Sequence, residues 1–526
     1  ISGLRYADEP AIAIIELVNE NSILDNWVRG ILRGENTEEG AEWVDLPPAY
    51  AKDLDRRWNT WLAQRYTDRD ALLEAWQGDL RPNEDPALNS VRRLRREEFA
   101  TASGARFRDE ATFYAEMEKD FFREMASFLR SVGAQQLILG TSDYNHRWSA
   151  LPMLESNATL DLIDGHVYWQ HPRFPGVRWS PVDWIMTNTP MLDDPDHSVP
   201  AQLSRSQVQG LPYIVSEVNE PFPHEYAAEL IPILSAYALL QDWDGLFWFA
   251  YGGGTEEQWK SGAIPRFFSM ANDPLKMTQT ALGALMFLRG DVAAAQKTVE
   301  RRMPHDWVLE SLRVEMPDDR HPFWYPYLPG RLALVHRTAI ADFYAEELAP
   351  AEGEIDLPMG DTIASDTGQL LWHVGEGGGR VLIDTPLHQG VIGRAGRLAT
   401  SQMQVDLRTP FAALQVASLD NRPLRESGRL LMLTAARVAN TGMRWTDESH
   451  RSVGDQWGTA PTRIEPVQAT VTLSGLKNAH SLALQPLDGY GQPTAPSRSL
   501  PIQEGKVILE LPTEYPTLWY LLTIQR

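Results

Sequence analysis

Through its first 300 residues the chain alternates short apolar runs that end in polar or acidic residues with longer stretches of helical repeat. Ala11 to Val18 (AIAIIELV) is rich in β-branched residues and closes on Asn19-Glu20-Asn21, as a buried parallel strand does at its C-terminal end. Ala51 to Tyr66 and Asp68 to Trp76 then read as helices. Asp109 to Val132 places Phe113, Met117, Phe121, Phe128 and Val132 at spacings of four or seven, with Gly133 suited to a C-terminal cap. Gln136 to Gly140 (QLILG) follows as a strand, and Leu160 to His166, Leu211 to Ser216 and Gly245 to Phe249 are further strand candidates. Glu225 to Gln241, despite Pro232, and Met277 to Arg289 supply helices around the last of these. Helix and strand in this alternation predict an α/β architecture with a parallel sheet.

From Trp307 onward the helical period disappears. Strands are predicted at Arg331 to His336, Gln369 to Val374, Arg380 to Asp384, Arg429 to Leu433, Ala469 to Leu473, Lys506 to Leu511 and Leu518 to Ile524, separated by Gly- and Pro-containing turns. This is β-sandwich patterning. Three regions follow: an α/β region over 1–304, a β-rich sandwich over 305–455 and a small C-terminal β domain over 456–526.

Charge and composition narrow the partners. With 48 Lys and Arg against 71 Asp and Glu the net charge is −23, which repels phosphate backbones and anionic lipid, so neither nucleic acid nor a membrane surface is expected. No apolar run approaches the roughly 20 residues of a membrane span. The absence of Cys excludes disulfides, thiolate metal sites and cysteine nucleophiles, and leaves the compartment open between bacterial export and cytoplasm. His166 and His171 do not form an HExxH pattern, so no metal or cofactor is expected. Arg92, Arg93, Arg95 and Arg96, followed by Glu97 and Glu98, read as a solvated helix face. Twelve of the 18 Trp lie at or before Trp259, a bias that suits stacking on sugar faces.

Residues two apart on a strand share a face. Glu16, Val18 and Glu20 therefore line up, as do Tyr213, Val215 and Glu217, and likewise Asp164, His166, Tyr168 and Gln170. Glu20 and Glu217 fall at the C-terminal ends of different strands, where catalytic residues of a parallel barrel gather. Two carboxylates so placed are what glycosidic bond cleavage needs, one to protonate the leaving oxygen and one to attack carbon or activate water. Glu220, in Asn219-Glu220-Pro221, is the rival to Glu217 but lies beyond the apolar run.

Asn19-Glu20 after an apolar strand, His166 to Trp169, Ser216-Glu217 after LPYIV, and Trp248 on the next strand resemble strands four, six, seven and eight of the clan A retaining glycoside hydrolases, in their cellulase and mannanase-like members. Trp58 to Trp76 and VSEVNEPFPHEY add to the likeness. The resemblance implies a (β/α)8 TIM barrel, with 1–304 as its C-terminal portion, strands 4–8, followed by β-sandwich domains. It further implies Glu20 as general acid/base, Glu217 as nucleophile, Asn19 on the sugar 2-hydroxyl, Tyr168 orienting Glu217 and Trp248 as the floor of a sugar subsite. His166 is expected within the rim, among the substrate-binding residues. The implied activity is retaining hydrolysis of a β-linked glucan, mannan or oligosaccharide; a non-catalytic carbohydrate-binding or assembly subunit is the other reading.

Strands one to three of such a barrel have no counterpart in this sequence. An open five-strand arrangement would expose an apolar edge and lack one wall of the site. A second polypeptide, or a cleaved N-terminal fragment, is therefore the expected source of the missing strands, and a natural start other than Ile1 is expected with it.

Overall fold

A computed structural model describes residues 3–35, 45–144, 147–252, 255–313, 323–325 and 327–526. Five parallel strands organise the N-terminal part: β1 (Ile14–Glu16), β2 (Leu137–Leu139), β3 (Ile163–Tyr168), β4 (Tyr213–Asn219) and β5 (Gly245–Trp248). β1 pairs with β2, β3 with β4 and β4 with β5, all parallel, and an isolated parallel bridge joins Asp143, in the chain beyond β2, to Gly165 within β3. The strands thus lie side by side in chain order. β1 is shorter than the apolar run predicts, because the chain turns after Leu17, and Glu20 takes a left-handed backbone (φ 45°).

Burial differs sharply across this sheet. β3 and most of β4 are buried, whereas β1 is half-buried along its length and β5 exposes Phe247. Among the described residues no strand pairs with the outer edge of β1 or of β5.

Between β1 and β2 stand α1 (Ile23–Val28), α2 (Pro48–Arg65), α3 (Arg69–Ala75) and α4 (Gly104–Ser131). Their apolar faces meet in an aromatic core where the buried Trp58 stacks on Trp61 and Trp76, and Trp27 packs on Phe107 and Tyr114. The basic run lies in extended chain and a 3₁₀ turn rather than on a helix. Arg93 is buried and donates to Asp55 (2.6 Å), to the Leu32 carbonyl (2.7 Å) and to the Tyr114 hydroxyl (3.2 Å), so the expected solvated face is in part a packing device. α5 (Leu151–Asn157), α6 (Val199–Leu203), α7 (Leu230–Leu240), α8 (Glu256–Lys260) and α9 (Pro274–Arg289) follow. α7 begins five residues later than its pattern predicts, which puts Pro232 in its first turn where no helical N–H is lost.

β6 (Thr298–Arg302) and β7 (Arg337–Asp342) form a parallel pair. Ile340 donates its N–H to the Gln207 carbonyl and accepts from Gln209, both at 2.8 Å, which ties this segment to the α/β part. The strand predicted over Arg331 to His336 is instead a 3₁₀ turn at Gly330–Leu334, and pairing starts at Arg337.

The remainder is a large antiparallel sheet. β8 (Thr362–Ala364), β9 (Leu370–His373), β10 (Arg380–Asp384), β11 (His388–Ala399), β12 (Met403–Ser418) and β13 (Arg429–Ala435) are neighbours in that order, while β14 (Val438–Thr441) and β15 (Thr459–Ile464) make a separate hairpin. β16 (Ala469–Leu473) pairs with the first half of β12 and with β19 (Val507–Leu511). β20 (Trp519–Gln525) pairs with β13 and with β17 (Ser481–Pro486), which carries β18 (Arg498–Pro501) at its edge. Leu414, Leu430, Val471, Leu482, Leu509 and Leu522 share one apolar core. Strands on both sides of residue 455 therefore belong to one sheet and share one core.

Candidate active site

A layer of apolar side chains closes the base of the parallel sheet: Ile14, Leu139, Leu162 and Ile214 pack together. Two residues further along three of these strands, on the same face, come Glu16, Asp164 and Ser216. His166 and Tyr168 continue that face of β3.

The register then changes. Asp164 lies opposite Ile214, but His166 lies opposite Glu217, so β4 holds one residue more than β3 over this step. This is a bulge. It brings two consecutive side chains, Ser216 and Glu217, to His166, and it carries Glu217 off the face of Tyr213 and Val215 on which strict alternation would leave it.

The resulting cluster is tightly hydrogen-bonded. Glu20 Oε1 lies 2.8 Å from His166 Nδ1 and Ser216 Oγ 2.7 Å from His166 Nε2. Asp164 accepts the Ser216 hydroxyl on one oxygen and the Ser216 N–H, at 2.9 Å, on the other. The Tyr168 hydroxyl donates to Glu217 Oε2 at 2.5 Å. One carboxylate oxygen each from Glu20 and Glu217, with a ring nitrogen of His166, lie within 4.8 Å of one another. Glu20 is 38% exposed at its side chain and Glu217 19%, so both open to solvent, while His166 at 2% does not.

Environment sets the charges. Burial pushes the Glu217 carboxyl above its usual range, against the opposing Tyr168 hydroxyl and His166 ring. Burial, with Asp164 nearby, pushes Glu16 up to about 7. Burial disfavours a charged His166, yet hydrogen bonds to Asp164 and Glu20 outweigh it and raise the ring to about 10. Burial and the bond to Glu217 raise Tyr168, which keeps its proton.

Glu20, His166, Tyr168 and Glu217 thus come together, and Asn19 stands in the exposed turn beside Glu20. Trp248 does not join them. It is in register with Val218, the neighbour of Glu217 that faces the other way, and it packs against the main apolar core. Phe249, 37% exposed, is the aromatic that meets Tyr168, edge-on with ring centroids 6.1 Å apart, and Phe268 packs on both. Trp248 therefore does not stand at the expected sugar floor: Ile214, on the site face below the bulge, is in register with Gly245, so alternation along β5 gives Phe249 that face and Trp248 the other. Glu220, the rival, is fully buried 2.7 Å from His224 Nδ1. Glu20, His166 and Glu217 have ligand atoms close enough to hold a cation, as do Glu16, Asp164 and His166. Both His166 nitrogens, however, are already hydrogen-bonded, and a metal would have to displace one of those partners.

No family model and no curated protein matches this sequence. The structure is similar to that of a GH39 enzyme from Xanthomonas axonopodis pv. citri, at 12% identity and a TM-score of 0.28, over 91% of this chain and 74% of that one. It is also similar to a catalytic mutant of Gan42B, a GH42 beta-galactosidase from G. stearothermophilus, at 10% identity and a TM-score of 0.33, over 89% and 75% of the two chains. At such scores neither likeness bears on the chemistry, which the side chains must carry.

Proposed function

We propose that this chain carries both catalytic carboxylates of a retaining β-glycoside hydrolase acting on a β-linked glucan, mannan or oligosaccharide. The observation that carries this reading is that a carboxylate oxygen of Glu20 and one of Glu217 lie within 4.8 Å of each other beside His166, a proximity that favours the closer of the two spacings known for paired catalytic carboxyls. Carboxyl groups about 5–5.5 Å apart suit double displacement, whereas inversion needs about 6.5–9.5 Å to admit a water. Glu217 attacks the anomeric carbon as Glu20 gives a proton to the departing oxygen; water then adds to the glycosyl-enzyme, losing its proton to Glu20. Tyr168 holds the attacking carboxylate. Replacing Glu217 with Ala is expected to lower aryl β-glycoside hydrolysis by at least about 10⁴-fold, with azide restoring turnover and giving the α-glycosyl azide. Full activity in that variant rejects the reading.

The open sheet belongs to the same proposal. Three further parallel β/α units, from a second polypeptide or from an N-terminal fragment outside this sequence, close it against β1 and β5. Supporting this are the unpaired edges, the half-exposed apolar β1, and the exposed stripe Phe121, Phe128 and Val132 on the α4 side. A cavity of about 340 Å³ between them is lined by Val18, Ile23, Met117, Phe121 and Phe122, among others. The second reading, a non-catalytic carbohydrate-binding or assembly subunit, draws on the same open edges. Sugar binding by the closed assembly that survives loss of both Glu20 and Glu217, without hydrolysis, would favour it.

A further inference from the structure

Both nitrogens of His166 are committed within the protein, and their partners determine which protons the ring must carry. On the Nε2 side, the Ser216 hydroxyl gives its hydrogen to the Asp164 carboxylate, so toward the ring Ser216 Oγ can only accept. Asp164 Oδ2 itself lies 3.4 Å from Nε2 and also only accepts. Nε2 therefore carries hydrogen. On the Nδ1 side stands Glu20 Oε1 at 2.8 Å, with Ser142 Oγ at 3.3 Å. An ionised Glu20 is an acceptor only, so Nδ1 carries hydrogen too whenever Glu20 is ionised.

The charges around the ring favour the same state. Glu16 on β1, Glu20 in the turn after it, Asp164 and Tyr168 on β3 and Glu217 on β4 all face His166, and the nearest oxygen of Glu217 is 3.9 Å away. Asp143, at the end of β2, accepts the His166 N–H through its backbone carbonyl, and its carboxylate is bound by Arg205 at 2.6 and 2.7 Å. Arg205 is thereby neutralised. The ring is 2% exposed, so it has no face left for a sugar hydroxyl.

We propose that His166 is a charged positioning residue, an imidazolium that spans Ser216–Asp164 and Glu20 and holds the Glu20 carboxylate in place, rather than a sugar ligand. It fixes the rotamer of Glu20 from below and stabilises the ionised form left after Glu20 has given up its proton. Only the last role rests on the glycosidase reading; the ring's charge and contacts do not.

The test uses the whole chain, labelled with ¹⁵N in histidine, and follows the ring nitrogens of His166 by NMR through a pH titration. Two protonated nitrogens are expected at neutral pH, with a titration midpoint well above the ordinary imidazole range. Deprotonation at or below an ordinary midpoint of about 6.5 overturns the proposal. Replacing Glu20 with Gln removes the charge that Nδ1 faces and is expected to lower the midpoint by about 1–3 units; an unmoved midpoint breaks the link to Glu20. His166→Asn assigns the signal, and if that variant does not fold, Ser216→Ala moves the same resonance by removing the Nε2 acceptor. These readings need no turnover. Failure of azide rescue at Glu217 would reject the hydrolase and leave the charged ring standing, whereas an ordinary titration would reject the charged ring alone.

Discussion

Tyr168 and Glu217 meet across adjacent parallel strands, hydroxyl to carboxylate, at 2.5 Å, although Tyr168 is in register with Asn219 rather than with Glu217. The tyrosine reaches back along the strand, and its hydrogen bond favours the ionised carboxylate against the burial that opposes it. Tyr168→Phe removes that donor. The Glu217 carboxyl then protonates at higher pH, so the acid limb of kcat/KM should move upward and kcat at neutral pH should fall by roughly 10²-fold. A pH–rate profile on an aryl glycoside checks both effects; a lower rate with an unmoved limb would leave Tyr168 a packing role only.

Glu20→Ala separates acid from base. Loss of the general acid should lower hydrolysis of substrates with poorly activated leaving groups by about 10²–10⁴-fold. An aryl glycoside whose phenolate needs no protonation should keep its first step and accumulate glycosyl-enzyme, seen as a burst of released phenol. An equal loss across leaving groups would remove Glu20 from that role.

The two glutamates were legible because each follows an apolar run that must be a strand, and a strand end is a defined place in a parallel sheet. Their surroundings were not. Alternation puts Ser216 and Glu217 on opposite faces, and only the extra residue in β4 brings both to His166; no residue type in YIVSEVN marks that bulge. The pairing of Gly245 with Ile214 below that bulge packs Trp248 against the core and leaves Phe249 beside Tyr168, whereas the bulge takes Glu217 off the face that alternation would have it share with Trp248. Farther on, β10 and β16 were predictable from clean alternation, RVLID and ATVTL, with alternate residues buried. The two longest strands were hidden: β11 contains three glycines and β12 contains Pro410, which propensity discounts and tertiary pairing tolerates. Arg93 looked solvated because a run of arginines usually is, and burial with Asp55 depends on a residue far away in sequence.

The apolar stripe on α4 should matter to association and not to folding. Phe128 is 58% exposed, so Phe128→Ser is expected to change the stability of the chain by no more than about 0.5 kcal/mol. It should weaken docking of the β/α units proposed to close the sheet on the β1 side, as should Phe121→Ser. Denaturant melts of the chain alone, set beside titration with the proposed closing units, separate the two effects; a large loss of stability in the chain alone would show that the stripe is already used within it.

Glu118 gives the clearest dependence of stability on pH. It is buried on α4, where Oε2 accepts the Ser22 hydroxyl at 2.6 Å and the Ile23 N–H at 3.0 Å, capping α1 from across the core. Burial raises its carboxyl from 4.5 to about 7, more than its bonds to Ser22, Ile23 and Ser156 lower it. The folded chain therefore holds this proton more tightly than the unfolded chain does. That contribution is complete below about 4.5 and is lost as pH rises through about 7. Glu118→Gln keeps an acceptor and has no proton to lose. Glu110, likewise buried and raised to about 7, titrates over the same window in both proteins, so the difference between them isolates Glu118. The stability of the native chain relative to the variant should fall by about 2–3 kcal/mol between pH of roughly 4.5 and 8. Urea unfolding at several pH values measures it, and a constant difference across that range would mean that Glu118 is already ionised in the fold.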